Sequence, residues 1–194
     1  MQSIEIEVKF RVRDLRMLET SLTGLGFHCK TPRTFERNVL FDTPGHGLRN
    51  QRQILRLRRY GERWVLTHKR TLPNESPDAR HKQRIETETV VDDGEAVAAI
   101  FDTLGYTFHF VYEKWRSEWE DASGHCVLDE TPIGLYAELE GPPEWIDRML
   151  AALHVDPADV TILSYGRLFE AWKNETGSEA ANMSFEEIQP MPAR

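Results

Sequence analysis

An α+β protein built on one large antiparallel sheet or barrel is the fold class that the sequence predicts. Three observations lead to it. Seven or eight segments alternate apolar and polar residues with period two, as β-strands do. Most of them follow one another across short turns, which favours antiparallel neighbours. The stretches with helical spacing occur singly between them, and neither an internal repeat nor a linker divides the chain into two cores. A length of 194 residues suits one domain with a substantial core.

In chain order, IEIEVKF (4–10) is a strand with Ile4, Ile6, Val8 and Phe10 on one face and Glu5, Glu7 and Lys9 on the other. Asp14 can cap a helix over 15–25, with Leu15, Leu18, Leu22 and Leu25 at helical spacing and Gly24 and Gly26 ending it. FERNVLFDT (35–43) reads as a strand and PGHG (44–47) as a turn, with Asp42 and Thr43 structural. QILRLRRY (53–60) and ERWVLTHKR (62–70) form a hairpin joined at Gly61. A polar loop over 71–81 leads to the strand QRIETETVV (83–91). Asp92-Asp93-Gly94 starts a helix that ends near Leu104. Strands follow over 107–120, 125–130 and 135–141, and Pro142-Pro143 stops the last. Helices are expected over 144–153 and 165–173. From Asn174 onward periodicity is weak, and a disordered tail over 174–194 is expected behind a folded domain of 1–173.

Composition narrows the function. The 24 basic and 32 acidic residues give −8, which argues against a general binder of nucleic acid or anionic membranes. No apolar run approaches the roughly 18 residues that span a bilayer, and MQSIEIEVKF does not read as a signal peptide. Cys29 and Cys126 lack metal-ligand spacing, so a reduced cytoplasmic protein without structural zinc is expected. No P-loop or GxSxG elbow is present. His68 reads as exposed or packed, the tryptophans as packing residues, and Arg52, Arg59, Arg63 and Arg70 as surface.

The polar strand faces are unusual. An antiparallel sheet commonly wets one face, but such faces favour Thr and mixed polar residues. Here like charges recur in pairs: Glu5 with Glu7, Glu86 with Glu88, Glu138 with Glu140, Arg56 with Arg58, and Lys114 with Arg116. Each pair lies about 6.5–7 Å apart along its strand. Such pairs cost energy unless something lies between them. Mg²⁺ or Mn²⁺ would neutralise the carboxylates, and a polyanion such as a triphosphate would neutralise the cations. If the sheet curls with these faces inward, both signs converge on one lumen. That is the composition of a metal-dependent phosphoryl-transfer site.

Glu5-x-Glu7-x-Lys9, the RLR of Arg56 and Arg58, LTHK ending in Lys69, RIETE with Glu86 and Glu88, EKWR with Lys114 and Arg116, VLDE with Asp129, and AELEG with Glu138 and Glu140 together resemble the CYTH family of triphosphate tunnel metalloenzymes. NVLFDTP (38–44) is similar to a strand of the longer members, and the resemblance runs in order from Glu5 to about Phe169. It implies an eight-stranded antiparallel β-barrel forming a tunnel, with helices packed outside. It also implies that Lys9, Arg56, Arg58, Lys69 and Arg116 bind phosphate, with Lys114 as a phosphate ligand or proton-handling group. Glu5, Glu7, Asp129, Glu138 and Glu140 would bind Mg²⁺ or Mn²⁺, supported by Glu86 and Glu88. The basic residue that some members carry before the tyrosine of SYGRLF (164–169) is absent, and Arg167 or Lys173 could substitute. The implied activity is hydrolysis of inorganic triphosphate, thiamine triphosphate or a nucleoside triphosphate. The alternatives are cyclisation of ATP to cyclic AMP and pyrophosphate, or polyphosphate binding without catalysis. A monomer or homodimer acting on a small molecule is expected.

Overall fold

The computed structural model describes residues 2–73 and 80–188. Among them, eight strands close into an antiparallel barrel: β1 (Gln2–Arg11), β2 (His28–Asp42), β3 (Gln53–Tyr60), β4 (Arg63–Thr71), β5 (Lys82–Val91), β6 (Thr107–Glu120), β7 (His125–Thr131) and β8 (Gly134–Glu140). Their spatial order is β5-β4-β3-β2-β6-β7-β8-β1, and β1 returns to pair with β5. A two-residue strand β9 (Val160–Thr161) continues that same edge of β1, opposite Lys9 and Phe10. Five helices lie outside: α1 (Leu15–Gly24), α2 (Gly47–Asn50), α3 (Gly94–Thr103), α4 (Pro143–Ala152) and α5 (Tyr165–Thr176).

The main apolar core lies between the barrel wall and the helices, outside the lumen. Val8 and Phe10 of β1, Cys126 and Leu128 of β7, and Ala137 and Leu139 of β8 pack against Leu18 and Leu22 of α1 and Trp145 and Ile146 of α4. Strand alternation then sends the neighbouring charged residues to the other side, into the barrel. Burying each large apolar side chain contributes about 1.5–3 kcal/mol, which is what makes an inward charged face tolerable. Asp14 starts α1 by accepting from Arg16 N at 2.8 Å and Met17 N at 3.1 Å.

Three local readings change. β2 begins at His28, seven residues before the predicted 35, because β6 supplies a partner as far out as Glu120. Its extra stretch has no alternation to read, and its register slips on both sides of Thr31. The predicted turn at 44–47 leads into α2, whose first amides at Leu48 and Arg49 donate to Asp42 at 2.9 and 3.0 Å. Asp42 is therefore structural, as expected. β9 carries too few residues to show a pattern.

The largest difference concerns the chain after Asn174. α5 continues to Thr176, and residues 177–188 are folded back on the barrel, with Met183 and Ile188 buried. Met183 bridges to Tyr112 of β6. The expectation of disorder fails there because the segment obtains its hydrogen bonds from the barrel, not from a periodic pattern of its own. Residues 189–194 of that expectation, and 74–79 of the predicted loop, lie outside the described residues.

Candidate active site

The lumen encloses a cavity of about 550 Å³. Every candidate site residue lines it except Asp129. The carboxylates Glu5, Glu7, Glu138 and Glu140 come from two adjacent strands, β1 and β8, where Glu7 stands opposite Glu140 and Lys9 opposite Glu138. Arg56, Arg58 and Lys69 face them from β3 and β4, Glu86 and Glu88 from β5, and Lys114 and Arg116 from β6. Neighbours in sequence thus become a belt of alternating sign around one space.

Pairing within the belt is dense. Lys69 donates to both oxygens of Glu5 at 2.7 Å and lies 3.1 Å from Glu86. Lys9 is 3.1 Å from Glu7 and 3.4 Å from Glu138. Arg58 lies 3.3 Å from Glu88 and 3.7 Å from Glu36. Arg56 donates to the Tyr112 hydroxyl at 3.3 Å and to Thr67 Oγ1 at 3.2 Å. The Nε atoms of Arg56 and Arg58 are nonetheless buried without a hydrogen-bond partner among the described residues. Two neighbouring guanidinium groups with donors to spare fit an oxyanion in the lumen.

Asp129 takes a different position from the one expected of a metal ligand. It is fully buried behind the cations, accepts from Arg116 Nε at 2.7 Å and Nη2 at 2.5 Å, from Lys114 at 3.1 Å, and from the Tyr165 hydroxyl. Both of its oxygens are engaged, in contacts that hold Lys114 and Arg116. Glu36 does the same from β2: it is fully buried, 3.4 Å from Lys114, and accepts from Asn38 at 2.8 Å. Burial pushes its carboxyl pKa up, but Lys114, then Arg116, Arg58 and Arg56 outweigh that and hold it far below the usual range.

The acidic wall is not uniform. Burial raises Glu7, yet Lys82 and Lys9 overcome it and bring its pKa down to about 2. Glu138 is likewise held well below the usual range, by Lys9 and Arg116 against its burial. Glu5 is raised by burial, with Lys69 opposing and Glu7 and Glu86 adding. Glu140 is raised to about 7 by its protein surroundings and by Glu5, Glu7 and Glu138, although its exposed end lets solvent screen part of that repulsion. Carboxylates short of positive charge are oxygen donors that suit a hard divalent cation. Among the described residues, no three such side chains already converge into a ready-made metal cluster. Lysine and arginine already contact both oxygens of Glu5 and one oxygen each of Glu7 and Glu138.

Several functional positions escaped the sequence reading. Lys82 lines the cavity and lies 2.5 Å from Glu7. It shares the parity of Glu86 and Glu88, so starting the strand at 83 cut it off. Glu36 shares the parity of Asn38 and Leu40 on β2, a signal hidden by the single charge. Tyr112 and Tyr165 also line the cavity. Lys114 stands 4.5 Å above the Tyr165 ring. Tyr165 belongs to the SYGRLF stretch of the family resemblance, whereas nothing local marks Tyr112. Neither Arg167 nor Lys173 lines the cavity. His68 is half-buried and bonds Gln53 at 2.9 Å, consistent with a packed histidine.

A closed antiparallel barrel with a lumen of interleaved cations and carboxylates defines a charged-tunnel protein. The chain belongs to the CYTH family, whose CYTH domain model matches residues 3–144. No curated protein sequence matches it. Solved structures share the fold. A candidate adenylate cyclase from Vibrio parahaemolyticus is 19% identical with a TM-score of 0.72, over 87% of this chain and 98% of that one. A Pyrococcus horikoshii protein is 24% identical with a TM-score of 0.70, over 84% and 98%. A candidate adenylyl cyclase from Hippeastrum, described as having a dominant triphosphatase activity, is 20% identical with a TM-score of 0.64, over 88% and 96%. Among the described residues no helix is long and apolar enough to cross a membrane.

Proposed function

We propose that this chain is a divalent-metal-dependent triphosphatase that hydrolyses a small triphosphate inside the barrel. The observation that carries this reading is the composition of one cavity. Among the described residues, seven lysine and arginine side chains and seven glutamates line it, so its walls nearly balance. A triphosphate brings several negative charges, and burying them uncompensated is prohibitive. The ligand that the walls accept is therefore a triphosphate together with its cations. Arg56, Arg58, Lys114 and Arg116 form the side that neutralises phosphate oxygens, and Asp129 and Glu36 hold those cations in place. Glu5, Glu7, Glu138 and Glu140 are the residues that would hold Mg²⁺ or Mn²⁺, which supplies Lewis acidity to the phosphates and to the attacking water. Lys9 and Lys69 bridge the two sides, since each already contacts a carboxylate of the acidic wall. Catalysis here is positioning and charge neutralisation.

The deciding experiment is product analysis. The purified chain is incubated with tripolyphosphate, thiamine triphosphate and ATP in turn, with Mg²⁺ or Mn²⁺. Orthophosphate release that stops in excess EDTA is the expected result. Cyclic AMP with pyrophosphate from ATP would make the chain a cyclase instead. Tight binding without any product would leave a non-catalytic polyphosphate module.

A further inference from the structure

We infer that residues 178–188 are part of the triphosphate-binding apparatus, a strap that completes the barrel wall and positions Arg56 and Lys114 through two tyrosines. The inference rests on the phosphate-binding reading of the lumen, and it concerns a segment beyond the matched family domain.

The barrel wall has an unfinished edge. β6 runs from Thr107 to Glu120, but β7 pairs with it only from Trp115 onward. On that side the backbone of Val111 to Glu113 faces no strand of the barrel. Unpaired backbone groups on a buried edge are costly. The strap satisfies them: Met183 N donates to Val111 O at 3.0 Å, Glu113 N donates to Met183 O at 2.9 Å, and Val111 N donates to Asn182 Oδ1 at 2.9 Å. Phe185 N also donates to Glu113 Oε2 at 3.1 Å.

The strap is a built element. Glu187 accepts from Ala181 N at 2.8 Å, Asn182 N at 2.9 Å and Asn182 Nδ2 at 2.7 Å, closing the segment on itself. Ile188 N donates back to Ser184 O at 3.0 Å. Its one fully enclosed side chain is Met183, which packs in a cluster with Tyr112, Tyr165 and Phe169.

That cluster reaches the lumen. The rings of Tyr112 and Tyr165 stack 5.9 Å apart, and both line the cavity. Tyr112 accepts from Arg56, while Tyr165 lies under Lys114 and donates to Asp129. Met183 touches no part of the lumen itself. It is a positioning residue: it fixes two rings, and the rings fix two cations, Arg56 and Lys114, of the side that neutralises phosphate oxygens. A long unbranched side chain suits the irregular gap between them.

The test compares Met183→Ala, Met183→Leu and Tyr112→Phe in the full chain. Tripolyphosphate binding with Mg²⁺ is followed by calorimetry, the Lys114 side-chain signal by NMR, and folding by circular dichroism. Met183→Ala should bind tripolyphosphate about tenfold more weakly, as when one charge-assisted hydrogen bond is misaligned, and should shift the Lys114 signal. Met183→Leu should restore both, since it refills the volume. Tyr112→Phe should weaken binding with little change in melting temperature, because only the hydroxyl facing Arg56 is lost. A folded Met183→Ala protein with wild-type affinity and an unmoved Lys114 signal would overturn the inference. If the wild type itself binds no triphosphate, the proposed function fails, and the Lys114 signal alone then judges the strap: shifted and rescued supports it, unmoved refutes it.

Discussion

At the scale of single residues, Glu7 shows how the lumen sets its own pH response. Its carboxylate sits within 3.1 Å of Lys9 and 2.5 Å of Lys82, and its pKa falls from 4.5 to about 2. A carboxyl with a depressed folded-state pKa contributes stability that is fully present above its unfolded value and is lost as pH falls. For Glu7 that window runs from 4.5 down to about 2. Glu7→Gln leaves two buried ammonium groups short of a partner, and should cost about 3 kcal/mol in metal-free protein at pH 7. The difference from wild type should shrink as the pH is lowered into that window, because the wild type then protonates the same group. Thermal melts in EDTA at pH 7 and pH 3 measure this, and an unchanged difference would contradict the assignment. Lys82 belongs to the same strand face as Glu86 and Glu88, one residue before the strand start at 83 that alternation predicts.

At the scale of elements, helix docking depends on close approach. Trp145 of α4 is buried, bonds Asp121 at 2.9 Å, and lies so near the β6–β7 turn that a methyl group on Gly124 would meet its ring at 2.7 Å. Gly124→Ala should therefore force α4 off the barrel wall and cost about 1–3 kcal/mol. Gly45 has nothing within 4 Å of an added methyl, so Gly45→Ala should change stability by no more than about 0.5 kcal/mol. Chemical denaturation of the pair checks the contrast, and equal effects would remove the steric account. The helix itself was legible as the segment over 144–153 that follows the strand stop at Pro142-Pro143. The requirement for glycine beneath it was not, because Gly124 and Trp145 meet only after β7 and β8 have formed.

At the scale of the whole molecule, the core lies outside the barrel and the charges lie within, so the two sides of the phosphate seat carry separate duties. Arg56→Ala should weaken tripolyphosphate binding roughly ten- to hundredfold, the loss of a hydrogen-bonded charge in a buried site. Glu138→Gln should reduce turnover mainly, with the ligand still held by the cations, as expected for a group acting through the metal. Steady-state kinetics beside direct binding separates the two. Undiminished affinity in Arg56→Ala, together with abolished binding in Glu138→Gln, would reverse the assignment of sides.

By itself the sequence determined which residues share a strand face and which sign of charge each face carries, because alternation along a strand is a local consequence of backbone geometry. It also carried the ordered motifs of the family, from Glu5 to Glu140. Only the tertiary structure decided that those faces turn inward, since a wet outer face shows the same alternation. Closure likewise selected the partners: Lys69 meets Glu5 across 64 residues and Lys82 meets Glu7 across 75. It placed Asp129 behind the cations instead of among the carboxylates, by pairing it with Arg116 on β6. It also ordered the chain beyond Thr176, where hydrogen bonds borrowed from an open strand edge take the place of any pattern in the residues themselves.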